Sequence, residues 1–215
     1  MISSFVVILV RVLLLLACPL LSLLGWLLFF LLQIEWRNRN MDLPVQGGGW
    51  NVRISVNGVD FRISEPKPFD SKWYSHKFKG PGVRYEVGMC IRTGWIVWVN
   101  GPFPCGSWPD LKIAQEWLFK KLEDGEKVIA DGGYPTGGMH TILPRHLDDD
   151  QRRVHSVIQA RHKIVNRRLK QWHALGGGHF WSKLEKHGRI FACVATIMQI
   201  ILREESQPFT IDEVF

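Results

Sequence analysis

None of the four cysteines, Cys18, Cys90, Cys105 and Cys193, stands in a C-x-x-C pair or at zinc-finger spacing, which excludes a thiolate metal knot and a thioredoxin-type redox motif. Cys18 lies in an apolar leader, so an odd number is left for the rest of the chain. That argues for free thiols in a reducing compartment rather than a disulfide framework. No P-loop, G-x-S-x-G elbow or H-E-x-x-H helix occurs, so three common routes to hydrolysis lack their signatures. Charge is missing altogether from Val12 to Ile34, "VLLLLACPLLSLLGWLLFFLLQI". As a helix this run would reach about 34 Å, enough to cross a hydrocarbon core of about 30 Å. It is too long for the apolar core of a secretory signal, about 7–15 residues. Residues 1–36 are therefore expected to form a hydrophobic leader with a transmembrane helix over 12–34, in which Pro19 and Gly25 are tolerable. Arg11 precedes the run and Arg37 and Arg39 follow it, a weak bias that places the remainder on the cytosolic side of a single-pass membrane protein. Expressed without the leader, the chain would instead be nuclear or cytosolic.

Charge elsewhere leans positive. The chain carries 27 Lys and Arg against 20 Asp and Glu, a formal net charge of +7. That excess is compatible with a polyanionic partner and equally with an ordinary solvated surface. Residues 37–51, "RNRNMDLPVQGGGWN", are polar and glycine-rich and read as a linker, leaving 52–215 as the domain. In it, "VRISVNGVDFRIS" (52–64) alternates apolar and polar residues around Asn57-Gly58, which predicts one bent strand or a tight hairpin. "VRYEVGMCI" (83–91) and "WIVWVN" (95–100) predict strands. "PDLKIAQEWLFKKLEDG" (109–125) has apolar residues at helical spacing, Pro109 and Asp110 at its start and Gly125 at its stop. "KVIAD" (127–131) predicts a buried strand ending on an aspartate before the turn "GGYPTGG". A long helix over 148–175 begins acidic and ends basic, and 188–206 predicts a last apolar helix. Strands, helix, strand and helices in that order make an α/β domain.

Several side chains are candidates for chemistry. His155 and His162 stand seven apart on one helix face. Without cysteine or carboxylate partners at zinc spacing, satisfied or solvated histidines outweigh a metal site. "KFKGPGVR" (77–84) reads as a hairpin turn, with a phosphate-holding loop as the alternative. Asp131 ends its strand where α/β sheets commonly place functional groups, although a capping role for the following turn is equally open. The chemistry that would use it is two-metal phosphoryl transfer, which gathers several carboxylates around cations about 3.5–4 Å apart. The stretch "ARHKIVNRRLKQW" (160–172) crowds Arg161, His162, Lys163, Arg167, Arg168 and Lys170 together without a carboxylate.

Taken in order, "VNGVDFRI", "PFPCGSWPDLKI", "GEKVIADGGYP", "ARHKIVNRRLKQW" and "HGRIFACVATIMQI" resemble the nuclease domain of Harbinger-like transposases, in the DDE superfamily of endonucleases. The similarity runs from about Val52 to the C-terminus. It implies a ribonuclease H-like nuclease domain, a mixed sheet flanked by helices, behind the transmembrane helix. It also implies metal-dependent DNA cleavage and strand transfer, with Mg²⁺ or Mn²⁺ as cofactor and DNA as partner. In the family, one aspartate lies in D-G-T followed by Asp or His, a second in "aDxGYp", and a glutamate on a helix resembling "ARHExxNxRxK". Carried over, the first position falls on Asn57, the second on Asp131 and the third on Lys163. Asp60 matches the trailing position of the first motif and Asp110 a recurrent polar position near a "GSxxD" turn, neither of them in the triad.

The two departures differ physically. Asn57 keeps a carbonyl oxygen but brings no charge. Lys163 sets a positive charge where about +4 of metal was to be neutralised, a repulsion rather than a missing attraction. With Asp131 as the one remaining metal ligand, catalysis is expected to be lost or severely impaired, unless Asp60 or Glu185 substitutes. Arg161, Arg167, Arg168 and Lys170, with Arg152 and Arg153, are expected to neutralise DNA phosphates without sequence preference. The apolar leader stands where the family carries a helical DNA-binding region, so specific end recognition is not expected. The rival readings are a non-catalytic, membrane-tethered or domesticated DNA- or protein-binding scaffold, and a decayed mobile-element fragment. Oligomeric state stays open.

Overall fold

Six strands form one mixed sheet: β1 (Asn51–Arg62), β2 (Tyr74–Ser75), β3 (Gly80–Cys90), β4 (Ile96–Pro104), β5 (Glu126–Ala130) and β6 (Thr141–Ile142). Their order is β2-β3-β1-β5-β6, with β4 pairing β3. β1 pairs antiparallel with β3 and parallel with β5. This is a computed structural model that describes residues 34–41, 51–65, 67–135, 139–176, 180 and 184–204, all within the unit Ile34–Phe215. Residues 1–33 of the expected leader, and with them all but the last residue of the 12–34 span, lie outside the described residues. Among the described residues no helix is long and apolar enough to cross a membrane.

β1 is a single strand running straight through Asn57-Gly58, because β3 pairs with it antiparallel without a break from Ile54 to Arg62. Its side chains alternate between two faces, as a strand buried on both sides requires. Ile54 and Val56 join Ala114, Leu118, Val128 and Ala130 in one core. Val59 and Phe61 join Val165, Leu169, Phe191 and Met198 in the other.

Three helical segments cover these faces. α1 (Asp110–Ile113) continues without interruption as a π-turn over Ala114–Leu118 and a 3-10 turn over Phe119–Lys121. The chain then turns at Gly125, whose φ of 75° is left-handed. α2 (Asp149–Lys170) opens on a capping box in which Asp148 accepts from the Gln151 N–H and Gln151 reaches back to Asp148. Acidic residues in its first turn and basic ones in its last complement the helix dipole. α3 (Leu184–Glu204) starts earlier than the apolar period alone suggests and buries Phe191, Val194, Ala195, Met198 and Leu202.

The folded unit also takes in residues ahead of β1. A 3-10 turn over Trp36–Met41 sets Trp36 edge-on against Trp98, centroids 5.6 Å apart. Arg39, 4% exposed, pairs with Glu126 at 3.3 Å and Glu123 at 3.3 Å. The first residues of the expected 37–51 linker are therefore part of the fold. A mixed sheet flanked by helices is compatible with the ribonuclease H-like architecture that the resemblance implies.

Candidate functional site

The parallel register of β1 and β5 ends with Val56 opposite Ala130. The next residues along the two strands are Asn57 and Asp131, so the sheet brings the first and second positions of the resemblance to one strand end. Asn57 is buried and Asp131 half-buried. Asp131 Oδ1 accepts the Gly133 N–H at 2.8 Å, so the aspartate also caps its own glycine-rich turn.

α2 is held against this end of the sheet by polar contacts from its inner face. His155 Nε2 lies 3.0 Å from the Ala130 carbonyl, Gln159 Nε2 donates to Ile129 O at 3.3 Å, and His162 Nδ1 lies 2.9 Å from Ser55 Oγ. Both histidines are buried, although His162 Nε2 finds no hydrogen-bond partner, and burial pushes the His162 pKa down to about 3, with Arg161 adding to it. Burial also lowers His155, where Asp131 acts to raise the pKa and Lys163 to lower it. The second and third positions of the resemblance thus exert opposite influences on one histidine. Lys163 itself is exposed.

The basic residues of α2 divide by helical phase. Lys163, Arg167 and Lys170 are exposed and Arg168 is half-buried. Arg161 is 1% exposed, and its guanidinium donates to the carbonyls of Cys90, at 3.1 Å, and Ile91. It falls on the inner face with Ile158, His162, Val165 and Leu169, where it satisfies the end of β3. The expectation of a phosphate contact at Arg161 is corrected accordingly: a fully buried side chain cannot meet an external backbone.

A second group of charges, not anticipated as a unit, lies on the opposite face of the sheet. Arg84 Nε and Nη2 donate to Asp60 at 2.7 and 2.9 Å, and Ser75 Oγ adds a bond at 3.0 Å. Burial opposes ionisation of Asp60, but Arg84, with Lys77 and Ser75, outweighs it and holds the carboxyl below its usual range. Arg84 also pairs with Asp110 at 3.3 Å, and Lys77 reaches Asp110 at 3.9 Å. Asp110 sits directly over Gly58, where a Cβ would come within 1.9 Å of its Oδ1; only glycine fits there. A Cβ on Gly133 would lie 2.9 Å from Asp110 Oδ2 and 3.0 Å from Asp131 Oδ1, so these two carboxylates flank the same glycine. Burial, countered by Arg84 and Lys77, raises the Asp110 pKa. Beside Gly58 in the register, buried Glu86 accepts from Trp98 Nε1 at 2.8 Å. Burial pushes its pKa up to about 8 against that bond, with Asp110 adding to the rise. The signal available in sequence was the two-residue spacing of Gly58 and Asp60, which puts both on one strand face; their partners come from distant segments. Of the two carboxylates named as substitutes in the triad, Asp60 is committed to Arg84 and Glu185 is exposed in the first turn of α3.

A family model described as DDE superfamily endonuclease matches residues 56–199, more than half of the chain. The chain belongs to the DDE superfamily endonucleases. No curated protein and no solved structure matches it. The matched span of this DDE superfamily endonuclease takes in β1 from Val56, the strand end at Asp131 and all of α2. Such enzymes usually work with a divalent metal. Among the described residues, no group of three or more His, Cys, Asp or Glu stands close enough to hold a metal ion. Asn57 offers one neutral oxygen, Asp131 is engaged with Gly133, Asp110 is tied to Arg84 and Lys77, and α2 presents Lys163. This donor set does not fit a two-metal centre.

Proposed function

We propose that this DDE superfamily endonuclease domain no longer cleaves DNA by two-metal chemistry and acts instead as a nucleic-acid-binding domain. The observation that carries the reading is Lys163. It is exposed on α2 at the family's glutamate position, and it opposes Asp131 in its influence on His155. A tethered ammonium at that position repels a metal ion and attracts a phosphate, so one substitution works against catalysis and toward anion binding.

The outer face of α2 supports the binding half. Arg153, Lys163, Arg167 and Lys170 are all exposed and recur near helical spacing. They span about 25 Å at roughly 1.5 Å per residue. A duplex carries about one phosphate charge per 1.7 Å of axis, so a cationic ridge of this length can neutralise several at once without reading sequence. Incubating the full chain with supercoiled plasmid and Mn²⁺ tests the catalytic half. The expected result is no nicking above the metal-free control. Nicking that disappears on Asp131→Ala would show that the site still works.

A further inference from the structure

The α2 ridge does not end at Lys170. The turn joining β2 to β3 places His76, Lys77 and Lys79 at the surface, with Lys72 and Arg62 also exposed. Between residues 61 and 83 the chain has Arg62, Lys67, Lys72, Lys77 and Lys79 against Glu65 and Asp70 alone. Asp70 is already paired with Lys72 at 2.7 Å. Even with Lys77 set against Asp60 and Asp110, the patch keeps an excess of positive charge.

This turn is braced. Arg62 Nη2 donates to the Phe78 carbonyl at 3.0 Å, and its guanidinium lies 4.9 Å from the centre of the Phe78 ring. The ring folds back on the strand, so that a Cβ on Gly82 would come within 2.4 Å of Phe78 Cζ. Lys79 has φ of 51°, the left-handed region, which glycine and less often asparagine adopt and which disfavours most other residues with a Cβ. A lysine held there keeps a cation at the cost of backbone ease, the pattern expected where a side chain has work to do.

The turn also adjoins the end of α2. Lys77 Nζ lies 3.8 Å from Asp60 Oδ1 and 3.9 Å from Asp110 Oδ2, yet its side chain stays 48% exposed. The Lys170 ammonium is shifted down by desolvation, and both Asp60 and Lys77 act on it. Lys77 and its partner Asp60 thus lie near enough to Lys170 to act on it, which sets the turn beside the C-terminal end of α2.

We infer that the β2–β3 turn is a second contact surface for the nucleic-acid backbone, continuous with the α2 ridge and centred on Lys77 and Lys79. The inference rests on the α2 reading and extends it to a separate element. A single bound anion needs two or three converging donors; cations strung along a helix and across a turn match a charged rod. A lipid surface would favour an aromatic turned outward, whereas Phe78 is folded under Arg62.

The test measures fluorescence anisotropy of a labelled duplex of about 30 base pairs and random sequence, across a salt series with EDTA. The full chain is used, held in a neutral detergent. Lys79→Gly removes a charge while relaxing the backbone, so its melting temperature should hold or rise. Each lost phosphate contact lowers the log–log salt slope by about 0.9, which corresponds to about fivefold in affinity near 0.15 M salt and about thirtyfold for Lys77→Gln with Lys79→Gly. Lys120→Gln, whose lysine on the 3-10 extension of α1 pairs with Glu116 in the preceding π-turn, should leave affinity unchanged. Weakening by Lys163→Gln/Arg167→Gln but not by the turn variants would overturn the inference and leave the α2 reading standing. No binding by the unaltered chain would overturn both. If the turn variants instead lose affinity for phosphatidylserine–phosphatidylcholine vesicles and none for DNA, the surface faces lipid and the inference falls.

Discussion

Glu86 shows how strongly single residues near the site are conditioned by burial. Its carboxyl releases its proton near 4.5 in the unfolded chain and near 8 in the folded one. Between those values the folded state binds more protons, so stability falls as pH rises from about 4.5 to about 8. His162 and His187 act in the opposite sense. Burial pushes them to about 3 and about 4 from 6.5, so stability is lost as pH falls from 6.5 toward those values. Together these groups put the stability maximum near pH 6.5. Glu86→Gln keeps an oxygen for the Trp98 indole and removes the titration. It is expected to flatten the decline between pH 6.5 and 8, on the order of 2 kcal/mol, in urea unfolding followed at each pH. A decline of unchanged size in that variant would assign it to another group. Sequence placed Asp131 between β5 and its turn, because an apolar strand ending on an aspartate before a glycine-rich turn is a local pattern. It misplaced Arg161, because a cation in a charge-rich helix looks exposed until the phase of the helix against the sheet is known. Asp110 was legible only as a helix-starting residue, since its contacts with Gly58 and Arg84 are made across the fold.

Among the elements, α2 is the one that most decides the site, since it carries Lys163 and bonds to Ser55, Ile129 and Ala130. Its start is fixed by Asp148, which accepts from Gln151 N at 2.8 Å and receives the reciprocal bond at 3.3 Å. Asp148→Ala should cost about 1 kcal/mol, read as a lowered urea midpoint with an unchanged slope; no shift would mean that the box is not formed in solution. The sequence carried the start of this helix, because a cap is local, but ran it on to 175, whereas α2 ends at Lys170 and a separate 3-10 turn covers His173–Leu175. It left the Asn57-Gly58 segment between strand and hairpin, because the choice depends on whether β3 is there to pair with β1. The π-turn after α1 had no sequence signal that we can name.

At the scale of the whole molecule, parallel pairing of β1 with β5 is what makes a site at all, since it sets Asn57 beside Asp131. The docking of Trp36 and Arg39 extends the fold to Ile34. A polar, glycine-rich composition gave no hint of that, because the partners Trp98, Glu123 and Glu126 lie in other segments. Two-metal chemistry likewise belongs to the assembled fold, as its three positions come from β1, the end of β5 and α2. The most direct measurement is Mn²⁺ binding to the full chain, followed by the electron paramagnetic resonance signal of the free ion. The expected result is no paired binding at micromolar Mn²⁺ in the unaltered chain, its appearance in Asn57→Asp/Lys163→Glu, and its loss again when Asp131→Ala is added. Two Mn²⁺ bound per unaltered chain, and released by Asp131→Ala alone, would contradict the loss of the two-metal site.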